Sequence, residues 1–176
     1  MSSTMRFDNW QTSDGTSIAT SNASGDITFA GGVSGAGKIL QVVYGSTSTL
    51  ASTSSTTYSD TGLSVTITPS SATSKVLVLV SQNGCYRNSG HVGNGLELKL
   101  FRDSTEIAKF SELIGLDGTT DYGYLGSASA CVLDTPATTS AVVYKTQQAN
   151  YVNVAYVGTQ INNDALSTIV AMEVAA

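Results

Sequence analysis

Charged residues, cysteine and histidine are scarce in this sequence, and it has no long hydrophobic run. Only 12% of the 176 residues are charged, with eight basic against thirteen acidic residues and a formal net charge of −5. Nucleic-acid-binding domains cluster Lys and Arg to neutralise phosphates, so this balance argues against a nucleic-acid partner. The longest strongly apolar run, Val76–Val80, has a strand's length, far below the roughly 20 residues of a membrane helix, so no membrane insertion is expected.

Cysteine and histidine are too few for a disulfide framework or a metal site. Cys85 and Cys131 are the two cysteines. The N-terminus leads into polar sequence without a secretory signal, which favours two buried thiols over one bridge. A metal site needs several ligands, and Asp117 and Asp121 lack the order and closing Glu of a calcium loop. The sequence therefore predicts no cofactor and no metal.

Two enzyme motifs are incomplete. Gly32–Lys38 fits G-x-x-x-x-G-K, but a phosphate-binding loop continues with Ser or Thr on a helix, whereas Ile39 opens a strand-like run. His91 is the only histidine, and a Ser-His-Asp triad would also need a nucleophile. The sequence contains no Gly-x-Ser-x-Gly nucleophile elbow that could supply one. Sequence spacing cannot show two carboxylates about 5–9 Å apart for glycoside cleavage. We therefore predict no catalytic residues, with a glycan-degrading spike as a distant alternative.

Small hydroxyl residues dominate instead: 25 Ser and 23 Thr make up about 27% of the chain. Thr is β-branched and Ser competes with helical hydrogen bonds, so this composition favours strands and turns. Alternation over Leu63–Thr68 predicts a half-buried strand, and Lys75–Ser81, apolar on both sides, predicts a central strand covered on both faces. Leu96–Phe101 and Glu106–Phe110, with a tight connection, predict a hairpin.

About nine short strands follow Lys38, and no helical periodicity is sustained for three turns. The pattern predicts an all-β fold over residues 37–176, an antiparallel β-sandwich of jelly-roll type. Residues 1–36 are predicted to form an N-terminal arm that ends in a Gly-rich linker. An arm this short cannot bury its large apolar residues within itself, so we expect them to dock on the main domain, on another copy or on a larger assembly. The flexible Gly-rich linker favours the assembly. The anchor candidates are Met5, Phe7, Trp10 and Phe29.

Tyrosines in or beside loops with Asn and Gly form a candidate contact surface. This composition suits adaptable recognition, and stacking on sugars is one use; capping the ends of the sandwich is the alternative role. The contact candidates are Tyr86, Arg87, Asn88, His91, Tyr122 and Tyr124.

The last strand runs apolar to the C-terminus, where an uncovered edge would invite aggregation. We therefore expect it to pair inside a sheet or to lie at a subunit interface. The oligomer-interface candidates are Ile169, Met172 and Val174.

Nine short segments, spread over nearly the whole chain, carry a resemblance to known proteins. Three lie in the arm: MRFDNWQ (5–11), SDGTSIAT (13–20) and ASGDITF (23–29). Six follow: GKILQVV (37–43), LSVTITP (63–69), SKVLV (74–78), LFRDST (100–105), DTPATTS (134–140) and STIVAMEV (167–174). In this order and spacing the chain resembles small structural proteins and tail-fibre segments of tailed bacteriophages, especially those of marine bacteria and cyanobacteria.

The resemblance implies a non-enzymatic virion structural protein, a homotrimeric surface projection with an N-terminal anchor and a distal β knob for host attachment. It implies three kinds of partner: further copies, other capsid or tail proteins, and a host surface glycan or protein. The implied location is the virion surface, after assembly in the host cytoplasm. A capsid decoration protein that grips and stabilises the head shell is the alternative, because 176 residues without a coiled coil are short for a long fibre.

Overall fold

The computed structural model describes residues 9–11, 14, 17–21, 27–29, 38–88, 94–114, 123–152 and 155–176. It divides into two units, Met1–Ala36 and Gly37–Ala176, and each is described by itself. The described part of the first unit holds three antiparallel strands in chain order: β1 (Asn9–Gln11), β2 (Ser17–Ser21) and β3 (Ile27–Phe29). Met5 and Phe7 lie outside the described residues. That this unit anchors the chain stays a prediction.

Strands also dominate the described part of the second unit. They are β4 (Ile39–Thr47), β5 (Ala51–Thr53), β6 (Ser59–Ile67), β7 (Lys75–Arg87), β8 (Leu96–Arg102), β9 (Thr105–Ile114), β10 (Gly123–Asp134), β11 (Val142–Asn150), β12 (Val157–Thr159) and β13 (Ser167–Val174). A 3₁₀ turn at Ile161–Asn163 separates β12 from β13. β4 begins directly after Lys38, so the segment that a phosphate-binding loop would need as a helix is a strand, as predicted.

The eight longer strands form two antiparallel sheets. β7 pairs with β13 along one edge and with β10 along the other, and β4 pairs with β13, which gives the order β4-β13-β7-β10. The second sheet has the order β6-β11-β8-β9. Numbered one to eight along the chain, the strands therefore stand as 1-8-3-6 and 2-7-4-5. This is jelly-roll topology, and the predicted fold class is confirmed.

The core lies between the two sheets because each strand alternates inward and outward residues. It is built from aliphatic residues of both sheets and one tyrosine: Leu63, Val65, Ile67, Val76, Val78, Val80, Leu100, Val142, Tyr144, Ile169 and Ala171. Burying each large side chain contributes about 1.5–3 kcal/mol before conformational entropy is counted. A smaller cluster of Cys85, Leu96, Leu98 and Val157 continues the core.

Local patterns identified β6 and the hairpin correctly, whereas β7 differs from its prediction. The β6 side chains alternate between buried and exposed, and β8 pairs with β9 across a two-residue turn. β7 has strands on both edges, but within the described part of the second unit only its inner face is covered by the other sheet. Leu77 and Leu79, on the outer face, are half-buried. A two-layer sandwich covers one face of each sheet, so apolar residues on both sides of a strand do not guarantee two covering layers.

Both cysteines are free thiols, as predicted, and Cys85 is buried. The predicted burial of Cys131 is wrong: it is exposed because it lies on the outer face of β10. In the part of the chain that the structure describes, no helix has the length and apolar character needed to cross a membrane.

Candidate functional site

The outer face of the β6-β11-β8-β9 sheet, called here the charged face, carries a set of ion pairs between neighbouring strands. Lys99 contacts Glu106 at 2.6 Å, Lys109 contacts Glu97 at 2.6 Å, and Lys145 contacts Asp60 at 2.9 Å. Exposed pairs of this kind each contribute at most about 1 kcal/mol. Their main effect is to keep this face hydrated and unsuited to close apolar contact.

Glu97 is the most buried carboxylate on the charged face and is held from two sides. Its Oε1 accepts from Lys109 Nζ at 2.6 Å, and its Oε2 accepts from the Tyr58 hydroxyl at 2.7 Å. Burial alone would raise the pKa of Glu97, but these two hydrogen bonds outweigh it and lower the pKa. Lys99 Nζ lies 4.3 Å from the centre of the Tyr58 ring. The arrangement favours the ionised form of Glu97.

The outer face of the β4-β13-β7-β10 sheet, called here the apolar face, has the opposite character. Strand register sets its residues in rows across all four strands. One row consists of Val42, Met172, Leu77 and Leu133, and the next consists of Tyr44, Val170, Leu79 and Cys131. A third row is made of hydroxyl residues: Ser46, Thr168, Ser81 and Ser129.

No charged residue interrupts these three rows of the apolar face. Its edge residues are the most open: Val42 is 56% exposed, Tyr44 59% and Leu133 52%. A contiguous exposed apolar surface of this kind often marks an interaction site.

The oligomer-interface candidates separate between the core and the apolar face. Ile169 is fully buried in the core, so its assignment to an interface is wrong. Met172 and Val174 point to the outer face of the sheet and are half-buried. Because strand residues alternate between faces, an odd-numbered and an even-numbered position of one straight strand cannot share a surface.

Four of the contact candidates lie in the described structure, and all four are at one end of the first sheet: Tyr86, Arg87, Asn88 and Tyr124. Tyr86 on β7 pairs with Tyr124 on β10, and a Cβ added to Gly158 on β12 would lie 2.7 Å from Tyr86 Cε1. Tyr86 therefore packs directly over a position that only glycine accommodates. Arg87 is only 3% exposed, so its assignment to an accessible contact surface is wrong.

Asn88 holds the segment that contains Tyr156 through two hydrogen bonds. Its backbone N–H donates to the Tyr156 carbonyl at 3.0 Å, and its Oδ1 accepts from the Tyr156 N–H at 2.9 Å. Tyr156 is 52% exposed and Tyr151, in the same loop, is 50% exposed. Tyr156 was missed because the sequence predicts a strand over Val152–Val157, whereas β12 begins at Val157. Tyr151 lies just before that predicted strand and has no Gly or Asn-Gly motif beside it that marks a loop. His91 and Tyr122 lie outside the described residues.

In the first unit, strand register brings two of the anchor candidates into one row. Trp10 on β1 pairs with Ala19 on β2, and Ala19 pairs with Phe29 on β3. Ala19 is buried, with 5% exposure. Trp10 and Phe29 therefore flank the buried Ala19 on the two neighbouring strands.

A buried polar network, which nothing in the sequence indicated, lies between the sheets. The Thr146 hydroxyl donates to Gln82 Oε1 at 2.8 Å and lies 2.5 Å from the Thr61 hydroxyl. Gln82 Nε2 donates to Ser167 Oγ at 3.3 Å, and the Gln160 amide bonds the same oxygen at 2.9 Å. All five side chains are at most 1% exposed. The network is neutral, so it joins the sheets without offering acid-base chemistry.

The described residues bring no three His, Cys, Asp or Glu side chains together as ligands for a metal ion. No protein-family model matches the chain, and comparison with curated proteins finds no match. Among solved structures, the chain is similar to the VP2 subviral particle of infectious bursal disease virus, with 12% identity and a TM-score of 0.41. The similarity covers 78% of this chain and 38% of the VP2 chain.

Proposed function

We propose that this chain is a non-enzymatic structural protein of a bacteriophage virion, a homotrimeric projection on the particle surface that takes part in host attachment. The observation that carries the proposal is the contrast between the two outer faces of the jelly roll. One face is covered by ion pairs, and the other has two uncharged apolar rows across four strands. A protein that functions by assembling needs both a hydrated exterior and a surface to bury.

The state of the carboxylates supports a role without catalysis. A glycosidase needs one carboxylic acid with a raised pKa as its general acid. Here burial would raise the pKa values of Asp60, Glu97 and Glu173, yet hydrogen bonds lower all three. Asp134 is engaged by Arg102 at 2.6 Å. Asp60, Glu97 and Glu173 are thus arranged to stay ionised.

Host attachment is assigned to the end of the sandwich that carries the exposed tyrosines. Tyr151 and Tyr156 are half exposed, and Asn88 holds the backbone of Tyr156. A positioned aromatic ring loses little entropy when it stacks on a sugar or a protein surface. Many copies on one particle would turn individually weak contacts into firm adhesion.

The test is localisation on particles. Antibodies raised against the purified chain should label virions from cultures that carry the gene, at the tail or at a vertex, and should not label virions without the gene. Absence of the chain from purified virions would contradict the proposal.

A capsid decoration protein is the second candidate, and one observation favours it. Within the described residues the only helical element is a three-residue 3₁₀ turn, so this part of the chain contributes no coiled-coil shaft. A compact knob of this kind also fits a position directly on the head shell. Label spread evenly over the shell would support decoration, and label confined to the tail or to vertices would support the projection.

A further inference from the structure

We propose that the apolar face is the trimer interface, and that the β4 side of this face on one copy packs against the β10 side of the same face on the next copy. The inference rests on the proposed homotrimer and names the surface through which its copies meet. Three copies would turn their apolar faces toward a common axis that runs along the strands.

Charge permits another copy of this chain as the occupant at this face more readily than elsewhere. Each copy carries a formal net charge of −5, so approach through most surfaces brings like charges together. The three rows of the apolar face contain no charged side chain. Contact through this face therefore has a small electrostatic cost, while the ion pairs of the charged face remain in water.

The size of the patch permits such a contact. Strands lie about 4.8 Å apart and alternate residues about 6.8 Å apart along a strand, so the two apolar rows over four strands cover about 260 Å², and the hydroxyl row extends the patch to about 400 Å². A patch of this order on a single chain is often functional. Each contact in the ring would bury about 400 Å² in total, which is below the range of standard interfaces, so the assembly depends on all three contacts closing together.

The two edges of the face differ in a complementary way. In one row the β4 edge carries the large Tyr44 and the β10 edge the small Cys131; in the neighbouring row the β4 edge carries Val42 and the β10 edge Leu133. When copies are related by a rotation axis parallel to the strands, rows meet at equal height. Tyr44 then meets Cys131, and Val42 meets Leu133.

Pairing of unlike edges closes a ring. A head-to-tail contact uses two different half-surfaces and generates a closed ring when the rotation closes. The same contact would also shelter the outer edges of β4 and β10, each of which has a single partner strand in the described structure. Unsheltered edges of this kind favour uncontrolled association.

A cysteine cross-link tests the geometry directly. Tyr44→Cys places a thiol at the β4 edge, where Cys131 of the next copy can form a disulfide with it under mild oxidation. The expected product on a denaturing gel is a covalent trimer of about three times 18.1 kDa. A face-to-face twofold packing would stop at covalent dimers and would overturn the ring.

Two controls keep the cross-link specific. Tyr44→Cys combined with Cys131→Ser should give no cross-linked product. Thr66→Cys, at an exposed position of the charged face, should not cross-link to Cys131. Cys85 does not compete, because burial raises the pKa of its thiol to about 11 and a buried, protonated thiol reacts slowly.

A charge introduced into the face tests the assembly without cross-linking. Leu133→Glu would bury an unpaired carboxylate, and we expect the trimer to dissociate at least 100-fold more readily, with light scattering giving about 18.1 kDa at micromolar concentration. Thr66→Glu, which places the same charge on the other sheet, should leave the trimer intact. Circular dichroism should show unchanged strand content in both variants.

The outcomes separate this inference from the proposed function. A wild-type trimer whose Tyr44→Cys variant forms no disulfide with Cys131, and which tolerates Leu133→Glu, would overturn the interface and leave the trimer standing. A wild-type chain that stays monomeric, with Cys131 as reactive as in unfolded protein, would overturn both the interface and the trimer. Virion labelling reports independently on whether the chain belongs to a particle.

Discussion

The Tyr144 hydroxyl donates a 2.7 Å hydrogen bond to Asp134 Oδ2, the oxygen that also accepts a 2.6 Å bond from Arg102 Nη1. Tyr144 and Arg102 belong to one sheet and Asp134 to the other, so this carboxylate joins the sheets. Burial, followed by the bond to Asp134, raises the pKa of Tyr144. The hydroxyl therefore stays protonated and remains a donor throughout the neutral range.

Removing that hydroxyl should destabilise the fold. Tyr144→Phe keeps the ring in the core but removes a hydrogen bond to a charged group, which costs about 1.5–3 kcal/mol of unfolding free energy. Urea denaturation at neutral pH measures the change. Tyr156→Phe, at a half-exposed tyrosine, is the matched control and should stay within about 0.5 kcal/mol of wild type. Equal effects of the two substitutions would contradict a structural role for the Tyr144–Asp134 contact.

Glu173 should make stability depend on pH in the acidic range. It is fully buried and accepts from Gln41 Nε2 at 2.6 Å and from the backbone N–H and hydroxyl of Ser70 at 2.8 and 2.7 Å. Burial alone would raise the pKa of Glu173, but these bonds, with one from Ser74, lower it from 4.5 to about 2. A pKa that is lowered on folding contributes stability that is complete above the unfolded pKa and is lost as pH falls toward the folded pKa.

Glu173→Gln should therefore cost about 1–3 kcal/mol at pH 7, and its difference from wild type should shrink between pH 4.5 and pH 2. Denaturation curves at a series of pH values measure this difference. Glu106→Gln, at an exposed carboxylate, is the control and should change stability by less than about 1 kcal/mol at any pH. A Glu173→Gln effect that is as large in strong acid as at neutral pH would show that the charge is not responsible.

The buried polar network should be cooperative. Thr146→Val keeps the shape of the side chain but leaves the Thr61 hydroxyl and Gln82 Oε1 without this partner, at a cost of about 1–3 kcal/mol. The same substitution at the exposed Thr66 should change stability by less than about 0.5 kcal/mol. The double variant Thr61→Val/Thr146→Val should cost less than the sum of the single variants, measured by urea denaturation. Simple additivity would argue against a connected network.

The tyrosine end should carry host binding. Tyr156→Ala removes a half-exposed ring that contributes contact area, and we expect purified protein to bind host cells about tenfold more weakly, which corresponds to about 1.4 kcal/mol per site. Flow cytometry with labelled protein measures binding, and urea denaturation checks that stability is unchanged. Thr66→Ala, on the charged face, is the control and should bind as wild type does. Unchanged binding by both Tyr151→Ala and Tyr156→Ala would move the contact surface elsewhere.

Local patterns predict much of this fold because strand alternation and turn chemistry depend on neighbouring residues. They identify β6, the β8–β9 hairpin, the strand after Lys38 and the all-β sandwich. They fail where distant segments decide the environment of a residue. Arg87 looks like part of a polar loop, but the chain that returns as β12 pairs beside it and buries it.

The final strand, β13, shows what sequence patterns can and cannot predict. Its alternation, readable from residues 167–174 alone, separates one set with Ile169 and Glu173 from another with Met172 and Val174. Hydrophobicity alone would turn the second set inward, yet Ile169 and Glu173 are the buried ones. Pairing with β4 and β7 sets the strand's orientation, and Ser70 and Gln41 supply the hydrogen bonds that make a buried carboxylate tolerable. Composition and periodicity were thus enough to predict a strand with two distinct sides. Long-range pairing decided which side faces outward, because only the folded structure brings hydrogen-bond partners to Glu173.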